Sequence, residues 1–572
     1  MMLCFVSPQA PAMARTLLVG ILLGLVGLPM AHAQEVPADN RYRTGDTYLQ
    51  VETVQTDLDG RTATLDVRWD ASWHDAENWD AAWIVLKGRR PGGPLVPLRV
   101  RGAPAMADNR SPDGAEAAFD VPDDRVGFFA YRAGQGEGTN HWRLRVSWAA
   151  ANGVDAGSIE GVAALGVEMV RVPTGEFELG TTRSLTGRRE STSRDWLGGT
   201  PPAPLSALFR VDPDGEDLYG GSYPVTSEAP ISIGTDAGDL YYIDAEFLED
   251  FSSGDQQGTL SAAFPKGYQG FYQMKYEVTE QQYVDFLSGL SPEQARQRWT
   301  TDPGEAGGPP PSRYRHTITR SDGHYRTERP HRAASYLSWQ DALAWADWMG
   351  LRPMTGLEFE KSARGPKPAR FREFVWGVRE VGASDHFVLD RRILDPGGSL
   401  AATEDGDERV DGNVHVQLRP TFEGADNYCT PGGNYFPYRT ACRELEGGDG
   451  GWGPLRVGIH GVGSGGVRLA AGAGYYGAMD LGGNLLEQVV TLGHPQGRAF
   501  RGTHGDGRLG PQVRATNPDW HADADTSAYA TRGAGWPSHP NHARTADRFS
   551  GLRRGGTRRS PAAGFRAVRT LP

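Results

Sequence analysis

Tyr476-Gly-Ala-Met-Asp480-Leu-Gly-Gly-Asn484-Leu-Leu-Glu487, with Arg532-Gly-Ala-Gly-Trp536 and Gly564-Phe-Arg-Ala-Val-Arg569 behind it, decides how this chain is read. Related segments precede it. Gly166-Val-Glu-Met-Val-Arg-Val-Pro-Thr-Gly-Glu-Phe-Glu-Leu-Gly180 reads as an opening hairpin, and Gly270-Phe-Tyr-Gln-Met-Lys-Tyr-Glu277-Val-Thr279 as a strand running into a helix. Three helix starts follow from capping boxes, in which a Ser or Thr side chain and an acid or amide three residues on satisfy each other's free backbone N–H. They are Thr279 with Gln282, Ser338 with Asp341, and Thr355 with Glu358. Behind the second, Ala342, Trp345, Ala346 and Met349 recur at helical spacing.

Together with Leu337-Ser-Trp-Gln-Asp-Ala342, the run from Leu351 to Gly365 and Val375-Trp-Gly377, these segments occur in one order. In that order the chain resembles the formylglycine-generating-enzyme (sulfatase-modifying factor) family over residues 166–572. The resemblance implies an α+β fold, a C-type-lectin-like domain with long loops. It also implies a copper-binding cysteine pair after the Arg532–Trp536 segment in active members. Here that stretch reads Trp536-Pro-Ser-His-Pro-Asn-His-Ala-Arg544-Thr-Ala-Asp-Arg548, without cysteine. No catalytic residue is therefore assigned, and copper is not expected.

The resemblance also implies calcium. One family site maps onto Asp480, Gly483, Leu485 and Glu487; two carboxylates and two carbonyls suit a hard cation that takes six to eight oxygens. A second maps onto Asn427, Tyr428, Asp449 and Trp452. The alternative is that these carboxylates only cap turns. Trp536, Ser538, His539, Asn541 and His542 are the candidate ligand-binding residues, although the two histidines are expected to be exposed loop residues rather than metal ligands. Arg544, Arg548 and Arg566 are expected to be packed structurally, and Arg553-Arg554 and Arg558-Arg559 to lie at the surface.

Residues 34–163 read as an all-β sandwich. Thr62–Trp69, Ala82–Lys87, Gly127–Arg132 and His141–Trp148 are strand-like and separated by Gly, Asp and Pro turns. Trp69, Trp73, Trp79 and Trp83 are taken as its core; the rival is a carbohydrate-stacking face. Residues 164–572 then form the enzyme-like domain, with an insertion at about 181–264.

Residues 1–33 read as a signal peptide, with an apolar run after Arg15 and Ala31-His-Ala33 as cleavage site. The mature chain is expected to be exported: periplasmic, cell-surface-associated or secreted, with no membrane span. Cys429 and Cys442 are expected to form a disulfide in an oxidising compartment; a thiol pair for Cu(I) is the alternative. The net charge of −12 gives no case for nucleic acid. No Walker loop, dinucleotide fingerprint, nucleophile elbow or HExxH is present.

The expectation is an exported, non-catalytic protein that binds a glycan or protein at the cell surface. A metal-dependent oxidase or sulfatase-modifying enzyme with a displaced site is one alternative. A variable binding protein of a diversity-generating retroelement, varying over 536–569, is the other.

Overall fold

A computed structural model describes residues 39–181, 208–210, 221–234, 236, 238–242, 255–299, 315–370, 373–377, 393–394, 409–410, 453–462, 464–521, 528–536, 538, 540–548 and 559–572. It is mixed, mostly sheet with some helices, and residues 38–572 make one compact unit. The signal-peptide expectation lies outside the described residues. Among the described residues no helix is long and apolar enough to cross a membrane.

The N-terminal strands are β1 (Gln50–Asp57), β2 (Thr62–His74), β3 (Asp80–Arg89), β4 (Val96–Val100), β5 (Ala105–Asn109), β6 (Ala117–Asp120), β7 (Gly127–Arg132), β8 (Gly136–Ala150) and β9 (Gly161–Val172). The enzyme-like part adds β10 (Phe271–Met274), helices α1 (Glu280–Ser288), α2 (Pro292–Arg298), α3 (Trp339–Trp348) and α4 (Gly356–Arg364), and strands β11 (Arg352–Pro353), β12 (Leu486–Val490), β13 (Tyr529–Arg532), β14 (Ala563–Gly564) and β15 (Ala567–Thr570). All three expected capping boxes are present, and Ser291 with Gln294 makes a fourth.

One 12-stranded sheet joins both parts in the order β1-β2-β8-β4-β3-β9-β10-β15-β11, with β5 on β8 and β6–β7 on β3. Strand β9 carries the join. It pairs with β3 from Gly161 to Val170 and with β10 from Met169 to Val172. The sequence boundary at 163/164 therefore falls inside a continuous strand.

Strand β3 is buried on both faces, as its unbroken apolar run requires. Ala82, Ile84 and Leu86 face a core shared with Leu65, Trp69, Trp142 and Trp148. Ala81, Trp83 and Val85 face a second core built with Trp339, Trp345 and Trp348 of α3. Successive side chains of a strand alternate sides, so one strand serves both cores. In the expected insertion, Leu208–Arg210, Ile231–Ile233, Leu240–Tyr242 and Gly258–Leu260 form a separate small sheet.

Candidate functional site

The three segments that open the sequence reading come together around β12. Strand β12 pairs antiparallel with β13, placing Glu487 opposite Arg532, and parallel with β14, placing Glu487 opposite Gly564. The loop before it is tight. Asp480 and Asn484 both take φ of 58°, a left-handed conformation that Asp and Asn tolerate better than most residues. Asn484 fixes the loop, accepting from Leu455 N at 2.8 Å and donating to Glu277 Oε2 at 2.6 Å. Its carbonyl accepts from Trp536 N at 2.7 Å.

Glu277, Asp480 and Glu487 form an acidic group against one guanidinium. Glu277 also accepts from Leu485 N at 2.9 Å, and Asp480 accepts from Gly458 N. Glu487 Oε1 receives Arg566 Nε at 2.7 Å. The remaining nitrogens of Arg566 donate to the carbonyls of Met274, Lys275 and Met479. Burial pushes Glu277 well above the carboxylate range, and Asp480 and Glu487 push it further. Burial also raises Glu487, opposed by Arg566.

Glu487 Oε2 is buried and has no hydrogen-bond partner among the described residues. Of the two readings in the sequence, a cation ligand or a cap on backbone amides, the second meets a different partner: Glu487 is held by a guanidinium. Asp480 and Glu487 both raise Glu277, and Asp480 raises Glu487, so the three carboxyls stand close enough to repel one another. Among the described residues, no cluster of three or more His, Cys, Asp or Glu is arranged as a metal centre. Asn427, Tyr428, Asp449, Trp452, Cys429 and Cys442 lie outside the described residues.

Behind β13, Glu360 of α4 gathers cations. Its Oε1 accepts from Arg532 Nη2 at 3.0 Å and from Arg548 Nη2; its Oε2 accepts from Gly180 N at 2.7 Å and lies 3.6 Å from Arg364. Burial raises Glu360, but Arg548, Arg532 and Arg364 outweigh it and hold the carboxyl below its usual range. Arg544 and Arg548 are buried and Arg566 fully so, as the sequence reading expected. Arg559 departs from its surface assignment: it pairs with buried Asp341 at 2.8 Å, alongside Arg298.

The expected ligand-binding segment divides. Trp536 is only 5% exposed, packs with Tyr276, Met479 and Leu485, and donates from Nε1 to Pro561 O. It is a core residue, which corrects its assignment as a ligand contact. Ser538 is half-buried, and its Oγ accepts from Gly535 N at 3.0 Å. Ala543 is fully buried in the core with Val375 and Leu481. His542 is no simple loop residue: its Nδ1 lies 3.3 Å from Oδ1 of the buried Asp547. His539 and the side chain of Asn541 lie outside the described residues.

The tryptophan cluster is packed inside, but of its members only Trp69 lies in the core of the N-terminal strands; Trp73 packs with Phe374 and Tyr476, and Trp79 and Trp83 join the core that holds α3, which corrects the expected single sandwich core. Trp69, Trp73 and Trp83 are buried. Trp79 is partly exposed, but Tyr131 stacks on its ring at 5.3 Å and the Arg171 guanidinium sits 4.2 Å from its centroid. Both contacts occupy the ring, so it offers no platform to a sugar. Sequence reasoning missed Glu277 and Glu360 as organisers. Glu277 stood within a recognised segment, and Glu360 had no local signal at all.

The model of the sulfatase-modifying factor enzyme 1-like domain matches residues 224–571. No curated protein matches the chain. Among solved structures the chain is similar to PvdO from Pseudomonas aeruginosa, at 15% identity over 71% of this chain and 95% of that one, with a TM-score of 0.29. It is also similar to domains D2 and D3 of the major pilin SpaD from Corynebacterium diphtheriae, at 8% identity over 40% and 81%, with a TM-score of 0.12. Likeness at that level supports no inference about either part. The family match spans more than half of the chain, and the chain belongs to the sulfatase-modifying factor enzyme 1-like (FGE-sulfatase) family.

Proposed function

We propose that this family member is an exported binding protein that has given up formylglycine formation and uses a calcium-stabilised, C-type-lectin-like scaffold to hold a glycan or protein at the cell surface. The observation that carries the reading is the pair Ser538 and Ala543, which stand where the resemblance places the copper-binding cysteines. Cu(I) wants soft thiolates. A hydroxyl bonded to Gly535 N and a methyl group in the core supply none. Calcium would be held by Asp480, Gly483, Leu485 and Glu487 and would ease the mutual repulsion of Asp480 and Glu487. The ligand-facing part is then Ser538 and His542, since Trp536 is packed inside.

The test is a competition for Cu(I) against a colorimetric chelator under reducing conditions. The mature protein is expected to withdraw no copper. Stoichiometric withdrawal would overturn the reading.

One observation favours a second reading, an enzyme with a displaced site. A half-buried histidine oriented by a buried carboxylate, as His542 is by Asp547, is the arrangement of a general base. Hydrolysis of a panel of chromogenic esters, lost in His542→Ala with melting temperature kept, would establish it.

A further inference from the structure

Strand β9 pairs with β3 along one edge, but with β10 on the other only from Met169 onward. The peptide groups of successive residues point to opposite edges of a strand. Ala164 N donates to Thr53 Oγ1 at 3.1 Å, and Glu168 O accepts from Lys275 N at 2.9 Å, so both residues face away from β3. Gly166, midway between them, faces the same way. Its N–H and C=O have no hydrogen-bond partner there among the described residues.

This edge borders a cavity of about 160 Å³ that also meets α1 and α3. At ~30 Å³ per water, that is room for about five waters or one small molecule. Its rim includes Tyr48, Gln281, Gln282 and Asp285, all half-buried, so the cavity reaches solvent. Below them lie the buried rings of Trp345 and Trp348, and the Nε1 donor of each has no acceptor among the described residues. Trp348 turns that edge of its ring toward α1. A methyl group built on Gly289 would come within 2.7 Å of its Cζ2, next to the carbon that carries Nε1.

Helix α1 supplies the acceptors. Gln281 Nε2 donates to Asp285 Oδ1 at 2.8 Å, which leaves Gln281 Oε1 and Asp285 Oδ2 open to a ligand. The lining selects against ions. No lysine or arginine is among the described residues that line the cavity, so an anion meets no countercharge. Glu168 is held by Lys275 at 2.6 Å, Glu277 is committed to Asn484 and Leu485, and burial raises Asp285, so a cation gains little. What remains is a mixture of single donors and single acceptors beside aromatic rings. A hydroxyl is donor and acceptor at once, and the C–H face of a sugar ring packs on aromatic carbon.

We propose that this cavity binds one neutral pyranose unit, with its hydroxyls on the Gly166 peptide groups, Asp285 and the two indoles. The inference goes beyond the binding reading above, which places ligand contacts at Ser538 and His542. Withdrawal of copper by the chain would overturn that reading and leave this cavity untouched, whereas failure of sugars to bind overturns this inference alone.

The probes are the methyl pyranosides of glucose, galactose and mannose, titrated into the mature chain and followed by saturation-transfer NMR and calorimetry. At least one is expected to bind saturably at millimolar concentration or below. Binding should fall about fivefold, the worth of one neutral hydrogen bond, in Asp285→Asn and in Trp348→Phe. It should be lost in Leu165→Trp, which fills the cavity from the β9 wall. Asp285→Asn is nearly isosteric and should keep the melting temperature, which guards against a misfolded Leu165→Trp. No saturable binding of any of the three sugars, binding indifferent to both Asp285→Asn and Leu165→Trp, or displacement of the sugar by inorganic phosphate or methylammonium would overturn the proposal.

Discussion

Replacing Glu487 by glutamine removes a charge from a fully buried pair while keeping nearly the same shape. Arg566 Nε, 2.7 Å from Glu487 Oε1, would keep an acceptor but lose its counter-ion; its other nitrogens already donate to three carbonyls. Breaking a buried pair from one side costs ~3–5 kcal/mol. The cost here should fall at the lower end, because Asp480 stands near enough to repel Glu487.

Destabilisation alone decides nothing about calcium, since the guanidinium contact predicts it too. The discriminating quantity is the coupling between mutation and metal. A cation that binds only the native state adds RT ln(1 + [L]/Kd), ~2.7 kcal/mol at a hundredfold excess over Kd. The assay is denaturant unfolding of wild type and Glu487→Gln, each stripped with chelator and then returned to millimolar calcium. Wild type should gain ~2–3 kcal/mol on calcium addition, and Glu487→Gln much less. An equal gain in both proteins would refute Glu487 as a ligand. No gain in either would refute calcium at this loop.

Glu360→Gln should cost ~3–5 kcal/mol in urea unfolding, because it removes the buried counter-ion that Arg532 and Arg548 share, while Arg364 keeps Glu373; a loss under 1 kcal/mol would contradict the arrangement. The same carboxyl is held below its ordinary range, so its contribution is complete above the unfolded carboxylate value and is lost as pH falls through the lower folded value. Acid titration of wild type against Glu360→Gln should show that difference. Lys87, pinned by Trp348 O at 2.6 Å and Gly507 O at 3.1 Å, has its amine pushed down to about 7 by burial. A depressed folded value means stability rises between pH 7 and the ordinary lysine range, so Lys87→Met should flatten that rise; an unchanged slope would exclude Lys87 as its source. Thiol titration of the denatured, unreduced mature protein should find Cys429 and Cys442 both blocked, and two free thiols would revive the thiolate alternative.

What was legible in the sequence was local. The capping boxes at Thr279, Ser338 and Thr355 each need only four residues, and each formed. The strands around Thr62, Ala82, Gly127 and His141 carry their own alternation or apolar runs. The register of β9 was not legible, because joining β3 to β10 depends on partners about 80 and 100 residues away in opposite directions. Glu360 illustrates the same limit at the site. Its identity as an acid on a helix says nothing of Arg532 and Arg548, which reach it only once β13 and the loop after it are folded. Trp536 was misassigned for a related reason: its exposure is set by Tyr276 and Met479, residues far off in the chain.

The central claim is that a member of this family has lost the family's reaction. The direct measurement is the mass of a peptide containing Cys-x-Pro-x-Arg after aerobic incubation with the copper-loaded, reductant-supplied mature protein. The peptide is expected to return with its cysteine mass intact, because no thiolate stands at Ser538 or Ala543 to hold Cu(I). A product lighter by the conversion of the thiol to an aldehyde, formed in proportion to enzyme and time, would contradict the account.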